Sequence, residues 1–349
     1  MNNIEVTVIC PIRNEEKFIG DCIESLVNQT FPLEKSEILI IDGMSDDRTR
    51  DIVESYSEKF PQVKLLDNPG RIVPMAMNIG IRAARGKYIV RIDGHAKADA
   101  NFVQANVDAL SAGKAECVGG PIISENATET GKAIAAAMSS SFGVGNSRFR
   151  TTQDQECFVD TVAFPGFTRK LFEKVGLFDE ELVRCQDDEL NFRIRSHGGQ
   201  ILLTPTIKSW YYPRSSLKKL WRQYFGYGFW KIRVFQKHPG KMQLRHFIPA
   251  TFVAGLLTLA IAGFAFWPAH ALLGGILALY FGGSLMAAFR IKASQPELPL
   301  WKLLVSFYIL HFSYGFGFIK GLIQFLPNWF KKRAENPAVL LPAEPSSNR

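Results

Sequence analysis

The sequence predicts an α/β protein with a mainly parallel, doubly wound sheet, followed by an interfacial helix and transmembrane helices. Strand-like and helix-like segments alternate through about the first 125 residues, which is the pattern of a parallel sheet with helices on both faces. The predicted strands are nearly continuous apolar runs, as expected for strands buried on both sides. Three apolar segments follow, and each approaches the ~20 residues needed to cross a hydrocarbon core.

The predicted strands are rich in β-branched and aliphatic residues. They lie at residues 6–10, 38–41, 63–66, 88–92, 116–118 and 201–204. Between them, apolar residues recur at helical spacing, as at Phe18, Cys22 and Leu26. The helices are predicted at residues 15–29, 46–59, 73–84, 99–111, 168–175 and 187–197. The stretch from 126 to 155 is rich in Ala, Ser and Gly and predicts a helix and a mobile loop.

The charge of the chain is divided between its two parts. Up to Glu189 the sequence has 30 acidic and 21 basic residues, and beyond it 3 acidic and 20 basic ones. Basic charge next to apolar segments favours an anionic membrane surface. Nucleic-acid binding is the alternative for a basic chain, but here the basic stretch runs directly into hydrophobic segments. We therefore predict a membrane partner and no nucleic acid.

The cysteines and the N-terminus indicate the compartment. Five cysteines occur, and none are paired at metal-ligand spacing. Scattered single cysteines are typical of buried thiols in a reducing compartment. The N-terminus has no basic segment followed by an apolar one, so no secretory signal is predicted. We expect the α/β part to stay in the cytosol.

Composition predicts four regions along the chain. They are a cytosolic α/β domain at 1–213, a basic aromatic interfacial region at 214–246, a membrane domain at 247–330 and a disordered tail at 331–349. The apolar segments of the membrane domain lie at 247–267, 271–289 and 303–326. Basic residues flank the first two segments, which predicts a helical hairpin with both ends in the cytosol. For the third segment, a full crossing and a re-entrant path are both left open.

The interfacial region combines aromatic and basic residues. Its core, residues 215–237, contains no acid and includes Tyr224 and Trp230. This composition is typical of a helix that lies in the membrane interface. An amphipathic helix packed on the preceding domain is the alternative. The sequence favours the interface because hydrophobic segments follow directly.

Polar side chains follow the strands predicted at 6–10, 38–41 and 88–92, where each strand ends. Together with Pro11, the candidate binding residues are Arg13, Asn14 and Glu15, then Asp42 and Ser45, then Asp93 and His95. The carboxyl ends of parallel strands border the crevice in which open α/β sheets bind ligands. A carboxylate such as Asp42 can accept hydrogen bonds from a base edge or a ribose hydroxyl. We therefore expect a nucleotide to bind at this edge of the sheet.

Asp93 and His95 are candidate metal ligands. They are two residues apart, so on an extended stretch both side chains lie on one face and can reach one cation. Mn²⁺ accepts such mixed ligands, whereas Mg²⁺ prefers oxygens and water. Either cation would offset charge that builds on a diphosphate leaving group.

Each of these turns also has a structural interpretation. Asn14 can cap the following helix. Asp42 can belong to an ordinary turn between a strand and a helix. His95 can be a loop histidine whose hydrogen bonds are satisfied. The sequence leaves these alternatives open.

A third acidic group, Asp187, Asp188 and Glu189, lies at the predicted start of a helix. The helix dipole stabilises carboxylates at this position, which is a structural explanation. Crowding of like charges also raises the pKa of at least one carboxylate, which suits a general base. Arg193 and Arg195 can pair with members of this group.

These motifs together resemble the family 2 inverting glycosyltransferases of the GT-A fold. Residues 11–15 match the family's nucleotide-binding turn, and the Asp-Gly-x-Ser sequence from Asp42 matches its acidic uridine site. Asp93 and His95 occupy its Asp-x-Asp metal position, although His replaces the second Asp. Asp187 matches the catalytic base of its Glu-Asp-x-Glu-Leu motif, in which Gln186 here replaces Glu.

Stretches at 142–150, 178–180 and 223–228 are similar to succinoglycan-type exopolysaccharide glycosyltransferases of bacteria. The resemblance implies a UDP-sugar donor, a polyprenyl-diphosphate-linked glycan acceptor and Mg²⁺ or Mn²⁺. It also implies a multi-pass protein of the inner (cytoplasmic) membrane with its catalytic domain in the cytosol. On this interpretation, the residues on the acceptor or membrane side are Asp188, Glu189, Arg193, Gln223, Tyr224 and Trp230.

Other functions are weighed against this one. A processive polysaccharide synthase would carry a Gln-x-x-Arg-Trp motif, but Gln223 is followed by Gly226 and Tyr227 at those positions. A non-catalytic, membrane-anchored nucleotide-sugar-binding protein would keep the donor turns without turnover. A small transporter fits poorly because about 240 residues precede the first apolar segment. We expect an enzyme that adds one sugar or few.

Overall fold

The computed structural model describes residues 4–124, 128–145, 147–151, 154–212, 216–240 and 242–329. These residues form two compact units. The first contains the described residues up to Ile123 and those from 154 to Tyr211, and the second contains the rest. The predicted tail at 331–349 lies outside the described residues.

Strands belong mainly to the first unit. In chain order they are β1 (Val6–Ile12), β2 (Ser36–Asp42), β3 (Val63–Asp67), β4 (Tyr88–Arg91), β5 (Ala96–Ala98), β6 (Cys117–Gly120), β7 (Ile122–Ser124), β8 (Cys157–Phe158), β9 (Ala163–Thr168), β10 (Ile201–Leu203) and β11 (Ser209–Tyr211). In the described part of the chain, eight of these strands form one sheet in the order β3-β2-β1-β4-β9-β6-β10-β8. Strands β8 and β9 run antiparallel to their neighbours, and the other pairs are parallel. A smaller sheet has the order β5-β11-β7.

Helices flank the large sheet and make up most of the second unit. In chain order they are α1 (Ile19–Val27), α2 (Thr49–Lys59), α3 (Val73–Ala83), α4 (Phe102–Ser111), α5 (Glu129–Met138), α6 (Ser141–Val144), α7 (Arg148–Thr151), α8 (Arg169–Val175), α9 (Gln186–Ser196), α10 (Leu217–Lys237), α11 (Ile248–Ala262), α12 (Pro268–Ser294), α13 (Leu300–Tyr308) and α14 (Tyr314–Phe325). The predicted mainly parallel α/β fold is confirmed.

The apolar patterns of the sequence explain these elements. Every residue of β1 and β2 is buried, as expected for central strands covered on both faces. Helix α1 buries its apolar stripe, including Ile19, Cys22 and Leu26. It begins four residues later than predicted, and α2 begins three residues later. The preceding residues form turns that hydrogen-bond to each other, so they do not join the helices.

The register of the sheet brings three strand ends to one edge. Ile12 at the end of β1 pairs with Asp42 at the end of β2. On the other side of β1, Ile9 pairs with Arg91 at the end of β4. Because these strands are parallel, the turns that follow them emerge from the same edge of the sheet.

Among its described residues, the second unit contains two helices that are long and apolar enough to cross a membrane by length and composition. One is α12, with 27 residues, and the other is the 30-residue helical path Leu300–Trp329. This path includes α13, a π-helical turn at Ile309–Ser313 and α14. It continues as a helix through Gly315 and Gly317. Helix α11 is shorter, with 15 residues.

Glycines let α10 and α14 pack with their backbones in contact. A Cβ atom at Gly228 would overlap the carbonyl oxygen of Tyr314, and one at Gly317 would overlap that of Phe225. Gly321 meets the carbonyl group of Phe229 in the same way. Small residues at such a seam permit a helix separation that larger residues exclude.

A side chain at this seam should therefore destabilise the second unit. We expect Gly317→Ala to lower the stability by about 1–3 kcal/mol, because the α10 backbone must move away from the added methyl group. Thermal unfolding of the detergent-purified chain measures the change. Gly274→Ala in α12 is the control, since nothing lies within 4 Å of its added Cβ. Equal unfolding temperatures for the two variants would contradict the proposed seam.

Candidate active site

The turns after β1 and β2 interlock through hydrogen bonds. The backbone N–H of Asn14 donates to Ser45 Oγ at 2.9 Å. The Asn14 side chain donates from Nδ2 to the Asp46 carboxylate at 2.7 Å and accepts from the Asp46 backbone N–H at 3.0 Å. The Glu15 N–H donates to Thr49 Oγ1 at 2.8 Å. Asn14 has a φ of 55°, a left-handed conformation that Asn tolerates better than most residues. These bonds fix the turn, and Asn14 does not cap α1, which begins at Ile19.

Asp42 holds the second turn from within. Its side chain is fully buried and accepts hydrogen bonds from the backbone and hydroxyl of Ser45, at 3.0 and 2.5 Å. It also accepts from Arg50 Nη1 at 2.8 Å, and Arg50 reaches Asp67 at the same distance. Both oxygens of Asp42 therefore have protein partners. Its predicted contact with a nucleotide stays a prediction.

Pro11 and Arg13 differ in their exposure. Pro11 is buried within β1, where it pairs with Ile41 of β2. Arg13 is exposed at the start of the turn, and its side chain lies next to Gly43. Of the two, Arg13 therefore has a side chain that a ligand can reach.

Asp93 and His95 follow β4 and are both mostly buried, with 22% and 18% of their side chains exposed. His95 Nδ1 lies 2.9 Å from Glu15 Oε1. No group of three His, Cys, Asp or Glu side chains suited to a metal ion occurs in the described part of the chain. A carboxylate and an imidazole nonetheless fit a divalent cation that takes its other ligands from phosphate oxygens and water.

Arg91 is a site residue that no sequence motif predicted. Its Nε donates to Asp93 Oδ1 at 3.0 Å, and its Nη1 donates to Asp187 Oδ1 at 2.6 Å. It thereby joins the end of β4 to the first turn of α9. Burial by itself lowers the pKa of Arg91, but the nearby carboxylates of Asp187 and Asp93 raise it by more than burial lowers it. The net pKa is therefore above the usual value, and the guanidinium stays charged. A charged residue inside a predicted buried strand was the available signal, because such residues require partners.

The first turn of α9 carries the third acidic group. Cys185, directly before the helix, has a left-handed φ of 62°. Glu189 is buried and forms a bidentate pair with Arg193 at 2.7 and 2.8 Å. Arg193 also donates to the carbonyl groups of Val175 and Leu177, and so ties α9 to the end of α8. This is a structural contact, and the predicted acceptor-side role of Glu189 and Arg193 stays a prediction.

Asp187 differs from Glu189 in its exposure, since 40% of its side chain is accessible. Burial of its surroundings raises its pKa, Arg91 opposes this effect, and Asp93 and Asp188 raise the pKa further. The net direction is upward from the usual value of an aspartate. An accessible carboxylate with a raised pKa is suited to accept a proton from a bound hydroxyl group.

The remaining predicted residues lie on α10 in the second unit. Gln223 Nε2 donates to the Tyr227 hydroxyl at 2.9 Å. Tyr224 is buried among apolar residues of this unit. The ring of Trp230 lies 5.7 Å from that of Phe325. Their predicted role on the acceptor or membrane side stays a prediction.

Comparison with known proteins shows the family of this chain. Residues 7–176 match the family model for glycosyl transferase family 2. The chain is 31% identical to a dolichyl N-acetyl-alpha-D-glucosaminyl phosphate 3-beta-D-2,3-diacetamido-2,3-dideoxy-beta-D-glucuronosyltransferase of Methanococcus voltae, over 91% of this chain and 97% of that protein. The chain belongs to glycosyltransferase family 2. This enzyme family is the one that the sequence motifs predicted.

Two further similarities agree with this assignment. The glycosyltransferase is 30% identical to the succinoglycan biosynthesis protein ExoA of Rhizobium meliloti, over 91% of this chain and 95% of that protein. Its fold is similar to that of a mannosyltransferase from Pyrobaculum calidifontis, PcManGT, with a TM-score of 0.59 and 20% identity. That match covers 92% of this chain and 87% of the other. The predicted GT-A fold is confirmed.

Removal of the Arg91 charge should destabilise the glycosyltransferase in a pH-dependent manner. In Arg91→Met the pKa of Asp187 rises further, so the ionised carboxylate costs more stability at neutral pH. We expect a loss of about 1–3 kcal/mol at pH 7, which shrinks as the pH falls through the Asp187 pKa and protonation removes the charge. Thermal unfolding between about pH 4 and pH 8 measures this loss of stability, because the ordinary Asp pKa of ~3.9 lies at the low end of that interval.

Arg91→Lys serves as the matched control for this prediction. It keeps the positive charge but loses the planar fork that reaches two carboxylates at once. Its stability loss should therefore vary less with pH than that of Arg91→Met. If both variants lost the same stability at every pH, the charge of Arg91 would not be what the two aspartates require.

Proposed function

We propose that this glycosyltransferase is inverting and transfers a sugar from a UDP-sugar to a polyprenyl-diphosphate-linked glycan. We place the reaction at the cytosolic face of the inner (cytoplasmic) membrane, in exopolysaccharide assembly. The observation that carries the proposal is the bridge from Arg91 to Asp93 and Asp187. It holds the residue proposed to face the donor diphosphate close to the residue proposed to activate the acceptor.

The donor would bind across the interlocked turns. Arg13 and the backbone around Asn14 and Ser45 line the edge of the sheet where nucleotides bind in open α/β folds. The bonds between these turns hold them in place before a ligand arrives, which lowers the ordering cost of binding. Asp93 and His95 would hold a divalent cation, which when bound offsets the charge that develops on the diphosphate. The mannosyltransferase PcManGT forms a complex with GDP-Man and Mn²⁺, which supports a metal-dependent reaction.

Asp187 would act as the general base. Its carboxylate removes the proton from the acceptor hydroxyl as the oxygen of that hydroxyl attacks the anomeric carbon, and the nucleoside diphosphate leaves from the opposite face. The new glycosidic bond therefore has the inverted configuration. Arg91 orients the Asp187 carboxylate through one oxygen, Oδ1, and leaves Oδ2 for the acceptor.

The acceptor class rests on the relatives and on the second unit. The Methanococcus relative is named for transfer to a dolichyl-phosphate-linked sugar, and the Rhizobium relative for succinoglycan biosynthesis. Large apolar side chains are exposed on α12 and around its start, including Trp267 at 75% and Leu279 at 78%. Patches of this kind mark contact with membranes or partners. A multi-pass anchor next to a lipid-linked acceptor accounts for both observations.

A donor and acceptor panel tests the proposed reaction. The detergent-purified enzyme is incubated with UDP- and GDP-sugars, with polyprenyl-phosphate- and polyprenyl-diphosphate-linked sugars as acceptors. We expect release of UDP and a lipid product one sugar longer, with inverted anomeric configuration. A ladder of long products would favour a processive synthase. UDP binding without turnover on the whole panel would favour the non-catalytic binding protein.

Asp187→Asn should lower turnover by roughly 10²–10⁴-fold, because an amide cannot accept the proton. UDP should still bind, since Asp187 is not assigned to the donor. The acid limb of the wild-type kcat/KM profile should have an apparent pKa above the ~3.9 of an ordinary Asp. Activity should fall as the pH drops through that pKa. Asp51→Asn, an exposed change on α2, is the control. Near-normal turnover of Asp187→Asn would rule out the base assignment.

A further inference from the structure

The contact between Glu15 and His95 indicates which tautomer the neutral imidazole ring adopts. His95 Nδ1 lies 2.9 Å from Glu15 Oε1, and 18% and 15% of the two side chains are exposed. An ionised carboxylate accepts hydrogen bonds and has none to donate. The hydrogen in this contact therefore belongs to Nδ1, which donates it to Glu15. In the neutral ring, Nε2 is then left with a free lone pair, which is the form that binds a metal ion.

Both partners of this contact are held in place. The Glu15 backbone is fixed by the bond to Thr49 Oγ1 at 2.8 Å. The His95 ring packs against the ring of Tyr211, with 5.2 Å between the centroids and 58° between the planes. Gly94 lies so close to Ile12 that an added Cβ would be 2.6 Å from its side chain. The position of His95 is thus determined by the surrounding fold.

We propose that Glu15 is a positioning residue that prepares His95 as a nitrogen ligand, and that this arrangement makes the site prefer Mn²⁺ to Mg²⁺. The proposal rests on the proposed function, in which Asp93 and His95 hold a divalent cation next to UDP. A carboxylate behind a ligating histidine sets its orientation and raises its basicity. Mg²⁺ prefers oxygen ligands and retains water, so a nitrogen ligand favours Mn²⁺.

This proposal reassigns Glu15. The sequence motif places Glu15 among the nucleotide-binding residues, but in the structure its carboxylate is directed to His95. Asp93 complements the arrangement, since Arg91 binds its Oδ1 and leaves Oδ2 as the second candidate ligand. One oxygen and one nitrogen ligand would then come from the protein.

Mn²⁺ binding measured without sugar transfer tests the proposal. Free Mn²⁺ is followed by electron paramagnetic resonance in the presence of the full-length chain and excess UDP, and Mg²⁺ is added as a competitor. The variants are Glu15→Leu, which removes the acceptor, Glu15→Gln, which keeps an amide oxygen for Nδ1–H, and His95→Asp. The control is Glu16→Leu, whose exposed carboxylate accepts from the Arg48 amide at 3.3 Å. Thermal unfolding shows that each variant is folded.

We expect the wild-type chain to bind Mn²⁺ more tightly than Mg²⁺. Glu15→Leu should weaken Mn²⁺ binding about 10–100-fold, Glu15→Gln should lose less, and Glu16→Leu should match the wild type. His95→Asp should shift the metal preference towards Mg²⁺. It should also abolish the modulation that a bound imidazole nitrogen produces in the electron spin echo of Mn²⁺. Unchanged Mn²⁺ affinity in folded Glu15→Leu, or an unchanged metal preference in His95→Asp, would overturn the proposal.

The outcome is separable from that of the proposed function. Mn²⁺ binding with the expected variant pattern, but without transfer from any UDP-sugar, would support the Glu15 assignment and count against the donor. Transfer from a UDP-sugar that needs no divalent cation, together with no Mn²⁺ binding, would overturn the Glu15 assignment and the proposed metal site but would leave the proposed donor and acceptor in place.

Discussion

The buried guanidinium of Arg91 is the interaction on which the arrangement of this site depends. A cation with 8% of its side chain exposed requires anionic partners, because the loss of hydration is otherwise too costly. Asp93 and Asp187 supply them from elements far apart in the sequence. The same pairing that stabilises the cation therefore fixes the distance between the end of β4 and the first turn of α9. The stability of the buried cation and the geometry of the proposed catalytic residues therefore depend on the same contacts.

The polar residues of the site divide into those that build it and those that a ligand can use. Ser45 and Asp46 hydrogen-bond to the neighbouring turn, Asp42 bonds to Ser45 and Arg50, and Glu189 is paired with Arg193. Asp187 keeps an accessible side chain. A motif match alone assigns all these residues to ligands, whereas burial and hydrogen-bond partners separate the two groups. The structural residues make the site rigid, which reduces the ordering cost when substrate binds.

The second unit follows different packing rules. Its helices α10 and α14 meet through glycines, so their backbones approach closely, and aromatic rings of the two helices pack beside this seam. Large apolar residues remain exposed on α12, where a soluble domain would bury them. Both features fit a unit whose surroundings include lipid. Gly315 and Gly317 do not break the last apolar segment, because atoms of neighbouring helices fill the space that a side chain would occupy.

The sequence by itself determined the fold class, six of the strands with the main helices around them, and most of the acidic residues at the strand ends; it did not predict β5, β7, β8, β9 and β11. These follow from local patterns, since hydrophobic periodicity and the residues at a strand end are readable along the chain. The tertiary structure alone decided which side chains meet. The link from Arg91 to Asp187, and that from Glu15 to His95, join residues 96 and 80 positions apart. No local pattern encodes such a pairing, because it arises only when the fold brings the strand ends and the first turn of α9 together.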